Sequence, residues 1–198
     1  MEHVYAYLRL TCHGRTWQPI HKAVCKALPV TSIWGSFRGL FGIASNELIV
    51  VTVGDASSIT SYIETVKNLV QVEITTHLKL TSTVRPIHTS PLTRDGLYVL
   101  RFFEVVNSDV DKIVDLSSSA WTNFENTSDF QVEPKALFRQ RDQTQDLGKM
   151  LLLTWYDGFD SWQASRLPAE SNENFRQRHQ LTAGTIAYAT RLVPSKPV

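Results

Sequence analysis

The 198-residue sequence predicts an α+β fold laid down twice: two tandem domains, each ordered strand, helix, strand, strand, helix, strand. Three observations predict it. First, four segment pairs echo one another in the same order: HVYAYLRL (3–10) with GLYVLRFF (96–103), GLFG (39–42) with ALFR (136–139), IVVTVGD (49–55) with LLLTWYD (151–157), and TVRP (83–86) with RLVP (191–194). Their offset widens from 93 residues (Tyr5 to Tyr98) to 108 (Pro86 to Pro194), as insertions in the second copy require. Second, strand-like and helix-like periodicities alternate in the same sequence within each copy. Third, a loop rich in Pro, Ser and Thr, Pro86–Asp95, separates the copies and sets the domains at 1–88 and 96–198.

The first copy opens on a strand, Val4–Leu10, rich in aromatic and aliphatic residues. Trp17, Ile20, Val24 and Leu28 recur at helical spacing, and Pro19 fits because it falls in the first turn, where a missing N–H costs nothing. Strands follow at Trp34–Ile43 and Leu48–Val53. Asp55, Ser57 or Ser58 caps a second helix whose face is Ile59, Tyr62, Ile63 and Val66. In the last strand Val72, Ile74, Thr76, Leu78 and Leu80 are expected on one side, and Glu73, Thr75, His77 and Lys79 on the other.

The second copy opens on a strand at Leu97–Val105. Ser108 and Asp111 form a capping-box-like pair, opening a helix whose inner face is Val110, Ile113, Val114, Ser117, Trp121 and Phe124. Strands are expected at Val132–Arg141 and Met150–Tyr156. A helix over Asp160–Leu167 is broken by Pro168, a second runs over Asn172–Thr182, and a strand over Thr185–Val193 closes the copy. LLLTW reads as a strand buried on both faces.

This order is the split β-α-β pattern of ferredoxin-like domains. Such a domain covers one sheet face with helices and leaves the other bare. Two copies in one chain answer that need, with the sheets packed on each other and the helices outside. A fused pair of this kind can be monomeric, and its edge strands leave a further homodimer open.

Composition excludes several function classes. A net charge of +1 gives no global field for nucleic acid or an anionic membrane. No apolar run reaches the ~18 residues of a membrane span, and MEHVYAYLRLTCHG does not read as a secretory leader. Cys12 and Cys25 have neither zinc nor Cys-x-x-Cys spacing, so two reduced thiols in a cytoplasmic protein are expected, with a disulfide as the minor alternative. No phosphate-cradling glycine motif and no G-x-S-x-G elbow occurs.

In the second copy LYVLRFFEV (97–105), DLSSSAWTNFE (115–125), KALFRQRD (135–142), MLLLTWYDGFDSWQASR (150–166) and NFRQRHQLTAGT (174–185) resemble a NIPSNAP-like domain, a family of the dimeric α/β-barrel superfamily. The resemblance implies that the tandem ferredoxin-like pair forms an intrachain dimeric α/β barrel. It implies little chemistry, because the wider superfamily holds cofactor-free monooxygenases, haem-degrading enzymes and haem peroxidases alike.

Candidate site residues are the polar and aromatic side chains expected between the second sheet and its helices. His179, on a stripe with Phe175, Arg178 and Thr182, could act as a general base or ligate haem iron; a hydrogen-bonded or plain surface histidine is the competing expectation. Trp155, Tyr156 and Trp162, with Trp121 opposite, could line a flat ligand or serve as core. Asp157 is expected to cap the helix that follows it. Arg101 and Glu104 fall on opposite faces of a buried strand; buried charge needs a partner, so a structural ion pair is expected, with a ligand group for one of the two as the alternative. Arg139 and Arg141 are expected to be solvated. In the first copy Tyr7 and Arg9 share a strand face, and His21 stacks at helical spacing between Trp17 and Cys25, a second and weaker place for an axial ligand. Three readings follow: binding of a hydrophobic or aromatic small molecule in the second domain, a cofactor-free monooxygenase, isomerase or cyclase, and haem binding. The sequence itself names no cofactor.

Overall fold

The computed structural model describes residues 2–142, 146–166 and 172–194. Among these described residues eight strands and five helices follow the predicted order twice. The first set is β1 (Val4–Cys12), α1 (Gln18–Ala27), β2 (Ile33–Phe41), β3 (Glu47–Gly54), α2 (Ala56–Lys67) and β4 (Val72–Ser82). The second is β5 (Leu97–Val106), α3 (Val110–Glu125), β6 (Val132–Gln140), β7 (Leu147–Tyr156), α4 (Phe159–Ala164), α5 (Glu173–Gln180) and β8 (Thr182–Val193). The sheet order is β4-β1-β3-β2 in the first set and β8-β5-β7-β6 in the second, the same permutation.

The chain divides into two compact units. The first holds the described residues up to Thr81, His88–Asp95 and those from Tyr188 onward; the second holds Ser82–Ile87 and Gly96–Ala187. The units therefore exchange short segments across the copy boundary. Tyr188 onward falls in the first unit because the end of β8 pairs with β2, from Ser36 opposite Val193 to Phe41 opposite Ala189. Ser82–Ile87 falls in the second because Thr83 N–H donates to Leu137 O (3.0 Å) and Leu137 N–H to Arg85 O (3.1 Å).

In the first unit, β1 lies antiparallel to β3, pairing Ala6 with Thr52, Leu8 with Val50 and Leu10 with Leu48. Paired residues share a sheet face. That face packs on Ile20 and Val24 of α1 and on Ile59, Ile63 and Val66 of α2, all buried. Asp55 caps α2, its carboxylate accepting from Ser58 N–H at 2.7 Å, as expected. The Ser57 hydroxyl and Ser58 N–H hold that carboxyl down to about 2.

The simple alternation expected along β4 is corrected. An irregularity opposite Arg9/Leu10 lets Ile74 pair with Leu10 and Val72 with Cys12, while Leu78 pairs with Tyr7 and Leu80 with Tyr5. Val72 and Ile74 thus join the helix-side core, and Leu78 and Leu80 lie on the other face. One extra residue in a strand reverses every side chain beyond it.

In the second unit β7 is the central strand, paired with β5 from Leu97/Tyr156 to Val106/Leu147 and with β6 on its other side. Met150–Tyr156 is buried throughout, as a strand covered on both faces requires. Two expected caps do not form. Asp109 precedes α3 without a side-chain cap, and a short 3-10 turn over Asn107–Asp109 displaces the capping-box register. Gly158, not Asp157, is the residue before α4, again without a side-chain cap. Asn172 caps α5, its Oδ1 accepting from Asn174 N–H (3.0 Å) and Phe175 N–H (3.4 Å). Thr182 begins β8 rather than ending α5. Pro168 lies outside the described residues.

Candidate functional site

Within the second unit the space between sheet and helices is not filled. A cavity of about 580 Å³ is lined by Val99 and Arg101 of β5, Leu152, Thr154 and Tyr156 of β7, Trp121 and Phe124 of α3, and Phe175, Arg178 and His179 of α5, with Pro134, Arg166, Arg176 and Gln180 around them. Alternation dictates the strand contribution. Val99 pairs with Thr154 and Arg101 with Leu152, so these four share the helix-side face. Below them Phe103, Met150, Leu137 and Ile113 close into an apolar cluster that forms the filled part of the unit.

The helix side is half aromatic, half cationic. Phe124 and Phe175 meet edge to face at 5.3 Å. Trp121 is buried and carries the Arg85 guanidinium over its ring at 5.1 Å. Arg85 is in turn held by both Glu125 oxygens (2.6 and 2.8 Å) and by Pro134 O (2.8 Å). This network locks the indole, and Glu125 neutralises Arg85.

Arg178 lies 4.8 Å from the Phe175 ring centre and 5.4 Å from that of Phe103, and Nη1 donates to Ser117 Oγ at 3.4 Å. Burial, then the positive charges of Arg101 and Arg166, bring its pKa down to about 10, with Tyr156 opposing. Arg101 is lowered for the same reasons, burial first and then Arg166. Arg166 donates from Nη2 to the Tyr156 hydroxyl at 2.9 Å, donates from Nε to Trp162 O at 3.3 Å, and lies over the Trp162 ring at 5.5 Å. Among the described residues no carboxylate pairs with Arg101, Arg166 or Arg178. The ion pair expected of Arg101 or Glu104 does not form between either of them and any described residue. Glu104 is exposed on the opposite strand face, beside Gly184.

The structure brings Trp121, Tyr156, Arg101, Arg178 and His179 to one cavity and leaves two expected residues out. Trp155 is buried on the other face of β7, opposite Tyr98, with its indole over Gly96 (φ +144°), where a Cβ would collide with it. Trp162 bears on the cavity only through Arg166. His179 sits at the rim with an exposed side chain. Arg166 was not singled out from sequence; the signal for it is its place four residues after Trp162 on one helical face. Val99, Leu152 and Thr154 are legible only once strand pairing is known.

In the first unit His21 Nε2 lies 3.4 Å from Cys25 Sγ and edge to face with Trp17 at 6.1 Å, and His21 does not line the cavity of the second unit. Burial lowers the His21 pKa and raises that of Cys25. Both cysteines are free thiols. Arg9 forms a two-toothed pair with Glu47 (2.6 and 3.1 Å) and donates to Tyr188 OH at 3.3 Å. Among the described residues no cluster of three His, Cys, Asp or Glu side chains could hold a metal ion. No helix among them is long and apolar enough to cross a membrane.

No protein-family model and no curated protein matches the chain. Solved structures do. A ferredoxin-fold protein of Listeria monocytogenes related to antibiotic biosynthesis monooxygenases matches 98% of this chain and 96% of its own, at 10% identity and TM-score 0.52. Chlorite dismutase from Candidatus Nitrospira defluvii covers 98% and 92%, at 9% identity and TM-score 0.64. A heme-binding protein of Thermus thermophilus covers 98% and 92%, at 8% identity and TM-score 0.62. The fold is that of the dimeric α/β barrels: an α+β chain of two tandem ferredoxin-like domains. At these identities the likeness speaks for fold alone.

Proposed function

We propose that the protein binds a hydrophobic or aromatic small molecule in the second unit, and that this copy is NIPSNAP-like. The observation that carries the reading is the 580 Å³ cavity between the second sheet and its helices, a size in the range of ligand sites and walled by Trp121, Phe124, Phe175, Leu152 and Val99. Its aromatic wall is held in place by Arg85 and Glu125 independently of any ligand. A fluorescence titration with Nile red, a neutral apolar dye, tests it. Val99→Trp and Leu152→Trp should each fill the space and weaken dye binding at least about tenfold with the fold retained. Unchanged binding in both variants overturns the reading.

A cofactor-free oxygenase, isomerase or cyclase is the second reading, favoured by His179 on the cavity rim within a fold shared with monooxygenase-related proteins. Turnover of a candidate aromatic substrate that survives His179→Ala unchanged removes that base.

Haem is the group named for the Thermus protein. An axial imidazole is held in a protected pocket by a second hydrogen bond. His179 is exposed, and among the described residues no hydrogen bond holds its ring. His21 lies against Cys25, on the first unit's α1. The cavity walls present guanidinium groups, which are not iron ligands. These residues do not fit an axially ligated haem, and no step is assigned through one.

A further inference from the structure

We infer that the ligand of this cavity is an organic carboxylate, its charged head bound by Arg101 and Arg178 and its apolar body laid against Trp121, Phe124 and Phe175. The inference rests on the reading that the cavity binds a small molecule.

Charge is the deciding quantity. Five arginines stand in or beside the cavity, and their partners differ. Arg85 is neutralised by Glu125, and Arg176 by Glu173. Arg166 is tethered to the Tyr156 hydroxyl, the Trp162 carbonyl and Ser165 Oγ. Arg101 makes no hydrogen bond or ion pair with any described residue, and Arg178 makes one long bond to a serine hydroxyl. Two half-buried guanidinium groups thus face one cavity, open at its His179 rim, with most of their N–H donors unmatched by any described residue, next to a third positive charge. Burying like charges together is unfavourable, and a structural role would be served better by an aliphatic residue. A bound anion reverses the balance.

The geometry narrows the anion. Arg178 is held by two phenylalanine rings, which restrict its guanidinium and leave its donor edge available. A planar fork of N–H donors matches a carboxylate with two parallel bonds. Arg101 stands mid-strand beside Leu152, two residues along from the Val99 and Thr154 pair on the same sheet face, so the polar end of the cavity is continuous with apolar wall. A cation would be repelled here, and a neutral hydrocarbon would leave both guanidiniums unmatched. Arg166 acts as a positioning residue: it fixes the Tyr156 hydroxyl and adds positive potential.

Calorimetric titration of the full chain with 2-naphthylacetate, its amide 2-naphthylacetamide, and acetate tests this. The acid should bind at least about tenfold tighter than the amide, the worth of a charge-assisted hydrogen bond, and acetate should bind far more weakly than either. Arg101→Gln and Arg178→Gln should each lower acid affinity far more than amide affinity and so remove most of the preference for the acid, with circular dichroism and the melting temperature reporting an intact fold in the variants. Equal binding of acid and amide overturns the inference and leaves the cavity reading standing. So does a preference for the acid that survives both variants, or acetate binding as tightly as the naphthyl acid. If neither naphthyl compound binds, the inference fails, and if Nile red fails as well, the cavity reading fails with it.

Discussion

The two units share a strand order and a sheet permutation, yet the space between sheet and helices is solid in one and hollow in the other. The echo at offset 93 places Ala6, Leu8 and Leu10 of β1 against Val99, Arg101 and Phe103 of β5, and the echo at 102 places Val50 and Thr52 against Leu152 and Thr154. In the first unit α2 presents Ile59, Ile63 and Val66, all buried, to that face. In the second, α4 and α5 have no buried residue, and the helix face they would have to fill is aromatic and cationic instead. The lesson is that a duplicated fold leaves one copy free to give up packing. The first retains an aliphatic core, while the second places Arg101 where the first has Leu8.

The largest test exchanges those two residues. Leu8→Arg puts an unpaired charge into a site with no exposure and should cost more than about 4 kcal/mol or prevent folding. Arg101→Leu should leave the protein folded and raise its melting temperature in the absence of ligand, because it removes a charge crowded by Arg166 and Arg178. Thermal melts of both variants decide it; equal destabilisation would mean that the two interiors are alike.

Next in size is a pair of filling substitutions. Ala6→Trp should overpack the first unit by about 3 kcal/mol or more, whereas Val99→Trp enters open space and should cost less than about 1.5 kcal/mol. Chemical denaturation measures both.

A smaller effect comes from Glu47. Burial pushes its carboxyl up, but the Arg9 hydrogen bonds, the Ala44 N–H and the Arg9 charge together hold it below the usual carboxylate range. Lowered in the folded state, it contributes stability above the unfolded-state pKa of about 4.3, and that contribution is lost as pH falls through the folded value. Glu47→Gln should cost about 1 kcal/mol at pH 7 and flatten the fall in stability below about pH 4. An unchanged acid profile would show that the pair contributes nothing.

The smallest concerns two threonines. Thr52 Oγ1 is buried without a hydrogen-bond partner among the described residues, while Thr154 lines the cavity. Thr52→Val should stabilise by about 1 kcal/mol, and Thr154→Val should be close to neutral, because its hydroxyl is not sealed in apolar packing. Melting temperatures compare the two.

Sequence periodicity and the internal echo by themselves determined the element order, the duplication, β7 as a doubly buried strand, and a cap for α2 among Asp55, Ser57 and Ser58, because each depends on side chains within a few residues or on a repeat visible in the chain. They also brought out Arg101, Trp121, Tyr156, Arg178 and His179, since polar groups on faces expected to be buried stand out in any amphipathic pattern. The tertiary structure decided the rest. Whether Trp155 or Tyr156 meets the cavity follows from strand register, and alternation sends neighbours to opposite faces. The reversal along β4 follows from one irregular residue opposite Arg9/Leu10, which no local pattern marks. Most of all, only three-dimensional contact reveals that Arg85 has Glu125 while Arg101 and Arg178 have no carboxylate among the described residues, because electrostatic balance depends on distance through space and not on spacing along the chain.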